Sequence, residues 1–160
     1  MIRPTIVPIL LSIAFASACA SGPKYIQGTK VEDTTENKEV LSTVEAYRTA
    51  LEARDASKLV MLASEKYWDD AGTPAGNDDY GYSQLKDILA NRLQRASDIR
   101  YSLRYKRVRW RGEKAFVDVL IDASFTVVDA DGKPSRRDLR DRNQFVLVRD
   151  GDRYKFLSGM

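Results

Sequence analysis

No histidine occurs anywhere in the 160 residues, and cysteine occurs once, at position 19. The first absence removes the commonest general base and the commonest zinc ligand together. The second rules out an intrachain disulfide and any cysteine-rich metal cluster. Charge of one sign is scarcely in excess: 26 basic residues against 23 acidic leave +3, too little to indicate nucleic-acid binding by itself. No apolar run reaches the roughly 20 residues of a membrane-spanning helix. What is present, 43% hydrophobic and 31% charged residues, fits one globular domain with a core of its own.

The N-terminus has Arg3, an apolar run from Ile6 to Phe15, and small residues at Ala16-Ser17-Ala18. A positive charge, a short apolar stretch and an A-x-A site are the anatomy of a secretory signal peptide, expected over residues 1–18. Pro4 and Pro8 interrupt the start of the run, which argues further against a membrane span. Cleavage after Ala18 leaves Cys19 first. The residues before Cys19 resemble the bacterial lipoprotein signal, with Ala16 where that family usually has leucine. The resemblance implies lipid attachment on Cys19 and a membrane-anchored protein of the cell envelope. Ala20 in place of aspartate implies, on the enterobacterial pattern, the outer membrane, facing the periplasm or the surface. Ordinary secretion and an uncleaved anchor are the alternatives. An unpaired cysteine is a liability in an exported protein, and lipidation removes it.

From Ala20 to Asp33 the chain has Gly, Pro and Ser but no sustained period, so residues 19–33 read as a lipidated N-terminus and flexible tether. Such a tether spans roughly 20 Å as a coil and at most about 45 Å extended. Residues 34–160 form the domain. Val40, Val44, Tyr47 and Leu51 make one helical stripe, with Thr34 as N-cap and Glu36 in the first turn. A second helix is expected across "DASKLVMLASEKYW", capped by Asp55, with Leu59, Leu62, Ala63 and Tyr67 inward. A glycine-bearing loop from Asp69 to Tyr82 precedes a third helix, capped by Ser83 and carrying Leu85, Ile88, Leu89 and Leu93.

After Asp98 the period becomes two. Ile99, Tyr101, Leu103 and Tyr105 share a face, and the phase slips near Lys106-Arg107, which predicts a bulge. Alternate positions from Ala115 to Val127 are apolar without exception, a strong strand signal. A strand this long must twist or bend. "DLRDRNQFVLVRD" and "RYKFLS" supply two more strands, and the tight turns "RGE", "ADGK" and "RDGD" make the sheet antiparallel. Helices ahead of such a sheet define an α+β domain, with N-terminal helices packed on one face of a curved antiparallel sheet of four or more strands. This order, together with "VEAYRTALEARDASKLVMLASEKY", resembles the nuclear-transport-factor-2-like superfamily. The resemblance implies a cone between sheet and helices that often holds a ligand. In the isomerases of the group it implies an aspartate base with an oxyanion hole. It also implies frequent dimerisation through the sheet.

No catalytic signature of that group transfers residue by residue, and no catalytic residue, cofactor or metal is assigned. Asp141 and Asn143 share strand parity with Leu139, Phe145 and Leu147. If that face points inward, Asp141 and Asn143 line a candidate pocket with Tyr101 and Tyr105. The structural alternative pairs Asp141 with an arginine and lets Asn143 satisfy a backbone group. Asp118 and Asp122 fall on the opposite, solvent side. "SQLK" at Ser83–Lys86 matches S-x-x-K, but no K-T-G or S-D-N element accompanies it. Asp69, Asp70, Asp78 and Asp79 flank the loop without EF-hand spacing. Arginines and lysines crowd residues 100–114 and 133–142 among Tyr101, Tyr105 and Trp110. Export argues against nucleic acid there, and a charged outer sheet face that resists edge pairing is the favoured reading. The leading expectation is a lipid-anchored envelope protein whose domain binds a small apolar ligand or a protein partner without catalysis. The alternatives are an isomerase- or cyclase-type enzyme with Asp141 in the cone, and a structural subunit or homodimer docking through its sheet.

Overall fold

A computed structural model describes residues 22–70, 78–129 and 131–160. Cys19 and the signal-like segment lie outside the described residues. Three helices, α1 (Thr35–Glu52), α2 (Ala56–Leu62) and α3 (Tyr82–Gln94), pack on one face of a four-stranded antiparallel sheet. Its strands, β3 (Ala96–Arg111), β4 (Lys114–Val128), β5 (Pro134–Asp150) and β6 (Arg153–Ser158), follow one another in sequence order as a meander. Two short strands, β1 (Trp68–Asp69) and β2 (Tyr80–Gly81), pair separately. This is the expected α+β architecture. No described helix is long and apolar enough to cross a membrane.

Local chemistry explains most boundaries. Thr34 caps α1 by accepting from the Asn37 N–H at 3.1 Å, and Asp55 caps α2 through Lys58 N–H at 2.9 Å. Where the long strands turn, Gly112 and Gly151 take φ of +55° and +67°, the left-handed region that glycine enters without strain. The β3–β4 register slips between Tyr105 and Arg107, where the bulge was expected, and again between Ser97 and Arg100.

Three expectations are corrected. The second helix stops at Leu62, because Ala63 turns extended and bridges Phe156 while Ser64 N–H donates to Phe156 O at 2.9 Å. Joining the sheet edge outweighs another helical turn. Tyr67 is still buried, but from outside the helix. Gly81, not Ser83, precedes α3, with Gln84 Oε1 reaching back to accept from Gly81 N–H at 3.1 Å. The third correction concerns the tether. Tyr25 and Glu32 bridge antiparallel, Asp33 N–H donates to Lys24 O at 2.7 Å, and Val31 is 1% exposed in the core. Val31, with Ile26 packed beside it and Asn37 Nδ2 donating to Glu32 O, seats a segment with no periodicity of its own.

The core lies between α1 and the concave sheet face. Val40, Val44 and Tyr47 meet Val117, Val119, Phe145 and Phe156, all buried. Tyr47 packs on Phe145 and Phe156 with ring centroids 5.5 and 5.4 Å apart, and on Tyr101 at 6.1 Å. Each such aromatic pair contributes about 0.5–1.5 kcal/mol beyond area burial.

Candidate ligand cavity

Inward-facing residues alternate along β4, and their cross-strand partners define what the concave face offers. From Ala115 toward Ile121 these positions are buried under the helices. Beyond Ala123 the helices run out, because α1 ends at Glu52 and α3 at Gln94. The long strands continue past them. The result is a cavity of about 500 Å³ between the C-terminal ends of α1 and α3 and the far end of the sheet. Its walls come from Leu51 on α1, Leu93 on α3, Ile99 and Tyr101 on β3, Ala123, Phe125 and Val127 on β4, and Leu139 on β5. Asn91, Arg92 and Arg95 supply its polar residues. No carboxylate, serine or threonine lines it among the described residues.

Tyr101 forms part of the wall. Burial, outweighing a hydrogen bond from Tyr47 that acts the other way, pushes its hydroxyl up to about 12. Tyr47, deeper in the core, is pushed well above its ordinary value by burial, with Tyr101 adding to the shift and Arg92 opposing it. Both are therefore neutral hydroxyls near pH 7. Tyr101 is also fixed through its backbone, whose N–H donates to Glu52 Oε1 at 2.8 Å.

The other three candidate pocket residues go elsewhere. Tyr105 donates its hydroxyl to Glu45 Oε1 at 2.6 Å, away from the cavity. Asn143 faces inward opposite Val119, but its Nδ2 donates to Gly159 O at 2.8 Å. It satisfies a backbone group, as the structural alternative had it. Asp141 shares the concave face, opposite Ile121, yet it is exposed and accepts from the Arg142 N–H at 2.7 Å. The four do not converge.

The deep end of the cone is occupied by the chain itself. Gly159 N–H donates to Asp69 Oδ2 at 2.6 Å, Met160 N–H to Tyr67 Oη at 3.1 Å, and Tyr67 Oη–H to the same Asp69 oxygen at 2.8 Å. Gly159 sits so close to β5 that an added Cβ would lie 2.5 Å from Gln144 O. Sequence periodicity alone carries no signal for this plug, since residues 159 and 160 belong to no strand. The cavity wall was nearer to legible: Ile99, Tyr101 and the alternate apolar positions of β4 were all placed on one face. What was missing was the length of the helices relative to the strands.

Asp69 thus has a structural role, and no cluster of three metal-ligating side chains occurs among the described residues. Residues 71–77 of the acidic loop lie outside the described part. Asp79 buries one carboxylate oxygen with no hydrogen-bond partner, away from the cavity wall.

The convex face carries the charge. Asp118 sits between Arg107 and Arg109 and accepts from Gln144 Nε2 at 2.6 Å. Desolvation pulls its carboxyl up, but the hydrogen bonds from Arg107 and Gln144 and the charges of both arginines prevail and hold it below the ordinary range. Asp122 pairs with Arg140 at 2.9 Å. Arg100, Arg104, Lys106, Arg111 and Arg142 make no ion pair among the described residues. Along one side of this face a groove of about 870 Å³ contains Phe116, Val146 and Leu157 beside Trp68, which is 57% exposed.

No protein-family model matches the sequence, and no curated protein is similar to it in sequence. Solved structures are similar in fold. A ketosteroid isomerase-like protein from Erwinia carotovora atroseptica superposes with a TM-score of 0.61 at 17% identity, over 79% of this chain and 94% of its own. A protein from the NTF2-like family of Streptomyces avermitilis gives 0.60 at 17% identity, over 78% and 93%. A protein from Kribbella flavida gives 0.64 at 15% identity, over 78% and 88%.

Proposed function

We propose that this chain, whose domain has the nuclear-transport-factor-2-like fold, binds a small apolar molecule at the mouth of its cone and does no chemistry on it. One observation carries the reading: a cavity of about 500 Å³ with apolar walls and no carboxylate among its described lining residues. That volume lies within the roughly 300–1,000 Å³ of small-molecule sites. A general acid or base needs a group titrating near the working pH. Here the described wall offers only a tyrosine pushed up to about 12 and two arginines. Asp141, the base of the enzymatic alternative, is exposed and outside the wall. The solved ketosteroid isomerase-like neighbour shares the fold, but no residue of its site is carried over.

The test is titration of the purified chain with N-phenyl-1-naphthylamine, a neutral apolar probe that fluoresces on leaving water. Saturable one-site binding is expected, and Leu139→Trp, which fills the half-exposed rim, should abolish it while leaving the thermal melt in place. Absence of binding, or binding indifferent to Leu139→Trp, would overturn the reading.

The same proposal includes export and lipid attachment on Cys19, with the domain held at the outer membrane of the cell envelope. Its support is the charged, apolar and small-residue pattern of residues 1–19. Mass spectrometry of the mature N-terminus should find diacylglyceryl on Cys19, and Cys19→Ser should release the protein from membranes. An unmodified soluble product refutes it.

A second reading, a subunit or homodimer docking through its sheet, is favoured by Trp68 and the groove beside Phe116 and Leu157. Sedimentation equilibrium decides it. A dimer dispersed by Trp68→Ser supports the reading, and a monomer at 0.1 mM opposes it.

A further inference from the structure

Resting on the ligand-binding reading just given, we infer that the cavity takes an anionic amphipath, a carboxylate-bearing aliphatic or ring compound, with its head at Arg92 and Arg95. Both arginines line a cavity that is otherwise apolar apart from Asn91 and the Tyr101 hydroxyl. Neither makes an ion pair with a described residue, although eleven such pairs form among the other described residues. Both arginines are exposed at the rim of the cavity, on the last turn of α3 and just past it. Two unpaired guanidiniums beside an apolar wall are the arrangement that selects carboxylate over a neutral polar head, since Arg presents several fixed donors to an anion.

Features that would repel an anion there are already engaged. The C-terminal end of α3 exposes carbonyls carrying partial negative charge. Leu93 O accepts from Arg54 Nε at 3.0 Å and Arg95 O from Val128 N–H at 3.1 Å, so that end is capped and gains a third cation nearby. Carboxylates flanking the wall are committed as well: Glu52 to Arg48 and the Tyr101 N–H, Asp98 to the Ser97 hydroxyl, Asp129 to Arg137 and Asp138 to Arg136. Asp141 is exposed on β5, two residues from Leu139, outside the wall. The cavity therefore keeps a net positive rim over an apolar body.

Calorimetric titration of the purified chain with dodecanoate, dodecanol and dodecylamine, below their micelle concentrations, tests this. Dodecanoate should bind at least tenfold tighter than dodecanol, and dodecylamine weakest. In Arg92→Gln/Arg95→Gln the carboxylate should fall to the level of the alcohol while the alcohol is unchanged. That last arm separates recognition from damage, because a misfolded variant would lose both ligands. Equal affinity for acid and alcohol in the unmodified chain overturns the anionic head and leaves the apolar site standing. A preference for the amine overturns it also. Failure of all three to bind overturns the ligand-binding reading itself.

Discussion

Replacing Asn37 by alanine should loosen the segment that joins the domain to its N-terminus. Asn37 is 6% exposed and joins three elements. Its Nδ2 donates to Glu32 O at 3.0 Å, and its Oδ1 accepts from Trp110 Nε1 at 3.0 Å. Each hydrogen bond contributes about 1 kcal/mol net, and Glu32 O keeps its bond from the Thr34 N–H at 3.0 Å, so no carbonyl is orphaned. Trp110 is 38% exposed, so its indole N–H finds water and adds nothing further. The sum is about 2 kcal/mol, or a fall in Tm of roughly 5–8 °C for a domain of this size. Circular dichroism gives the melt. Trypsin sensitivity at Lys24 and Lys30 and the emission of Trp110 report the local event, with faster cleavage and a red shift expected. Asn37→Asp keeps the acceptor and loses the donor, so it should fall between. A Tm within about 2 °C of the parent with unchanged cleavage would refute the view that Lys24–Asp33 belongs to the fold. The point bears on function. If the domain begins at Lys24, the free chain after Cys19 is short, reaching about 18 Å at full extension where a tether through Asp33 would reach about 45 Å.

Other perturbations follow from the same contacts. Gly159→Ala puts a Cβ against Gln144 O at φ +93°, so the plug should detach, with a loss of about 2 kcal/mol or more and faster amide exchange at Gly159 and Met160. Phe145→Ala, at the centre of the aromatic cluster, should cost about 3–5 kcal/mol in a denaturant melt. Stability should hold up to about pH 10 and fall above it. Burial raises the folded-state values of Tyr47, Tyr67, Tyr101 and Tyr105, so the unfolded chain ionises first. Urea midpoints measured from pH 8 to 12 check this, and a flat profile would contradict it. At the acid end, the contribution of Asp118 is present above the ordinary carboxylate range and lost as pH drops through its lowered folded value. Asp118→Asn should flatten that part of the profile.

Periodicity carried most of the fold and little of the site. The unbroken alternation from Ala115 to Val127 identified β4 and its buried face, and the slip at Lys106-Arg107 marked a real bulge. Side-chain parity correctly put Asn143 on the concave side. Parity says which face, however, and not what covers it. Asp141 lies on the correct face but beyond the helices, while Asn143 lies beneath a chain segment that no local pattern announces. Val31 was missed because a single buried apolar residue has no period. Nothing in the local pattern singles out Arg92 and Arg95; it is the length of β3 and β4 past α3 that puts an apolar wall beside them.

Methyl-resolved NMR with N-phenyl-1-naphthylamine tests the central claim most directly. Shifts confined to Leu51, Leu93, Ile99, Val127 and Leu139 are predicted, since these line the cone mouth. Shifts concentrated instead at Val146, Val148 and Leu157, in the groove on the opposite face, would contradict the claim that the cavity is the binding site.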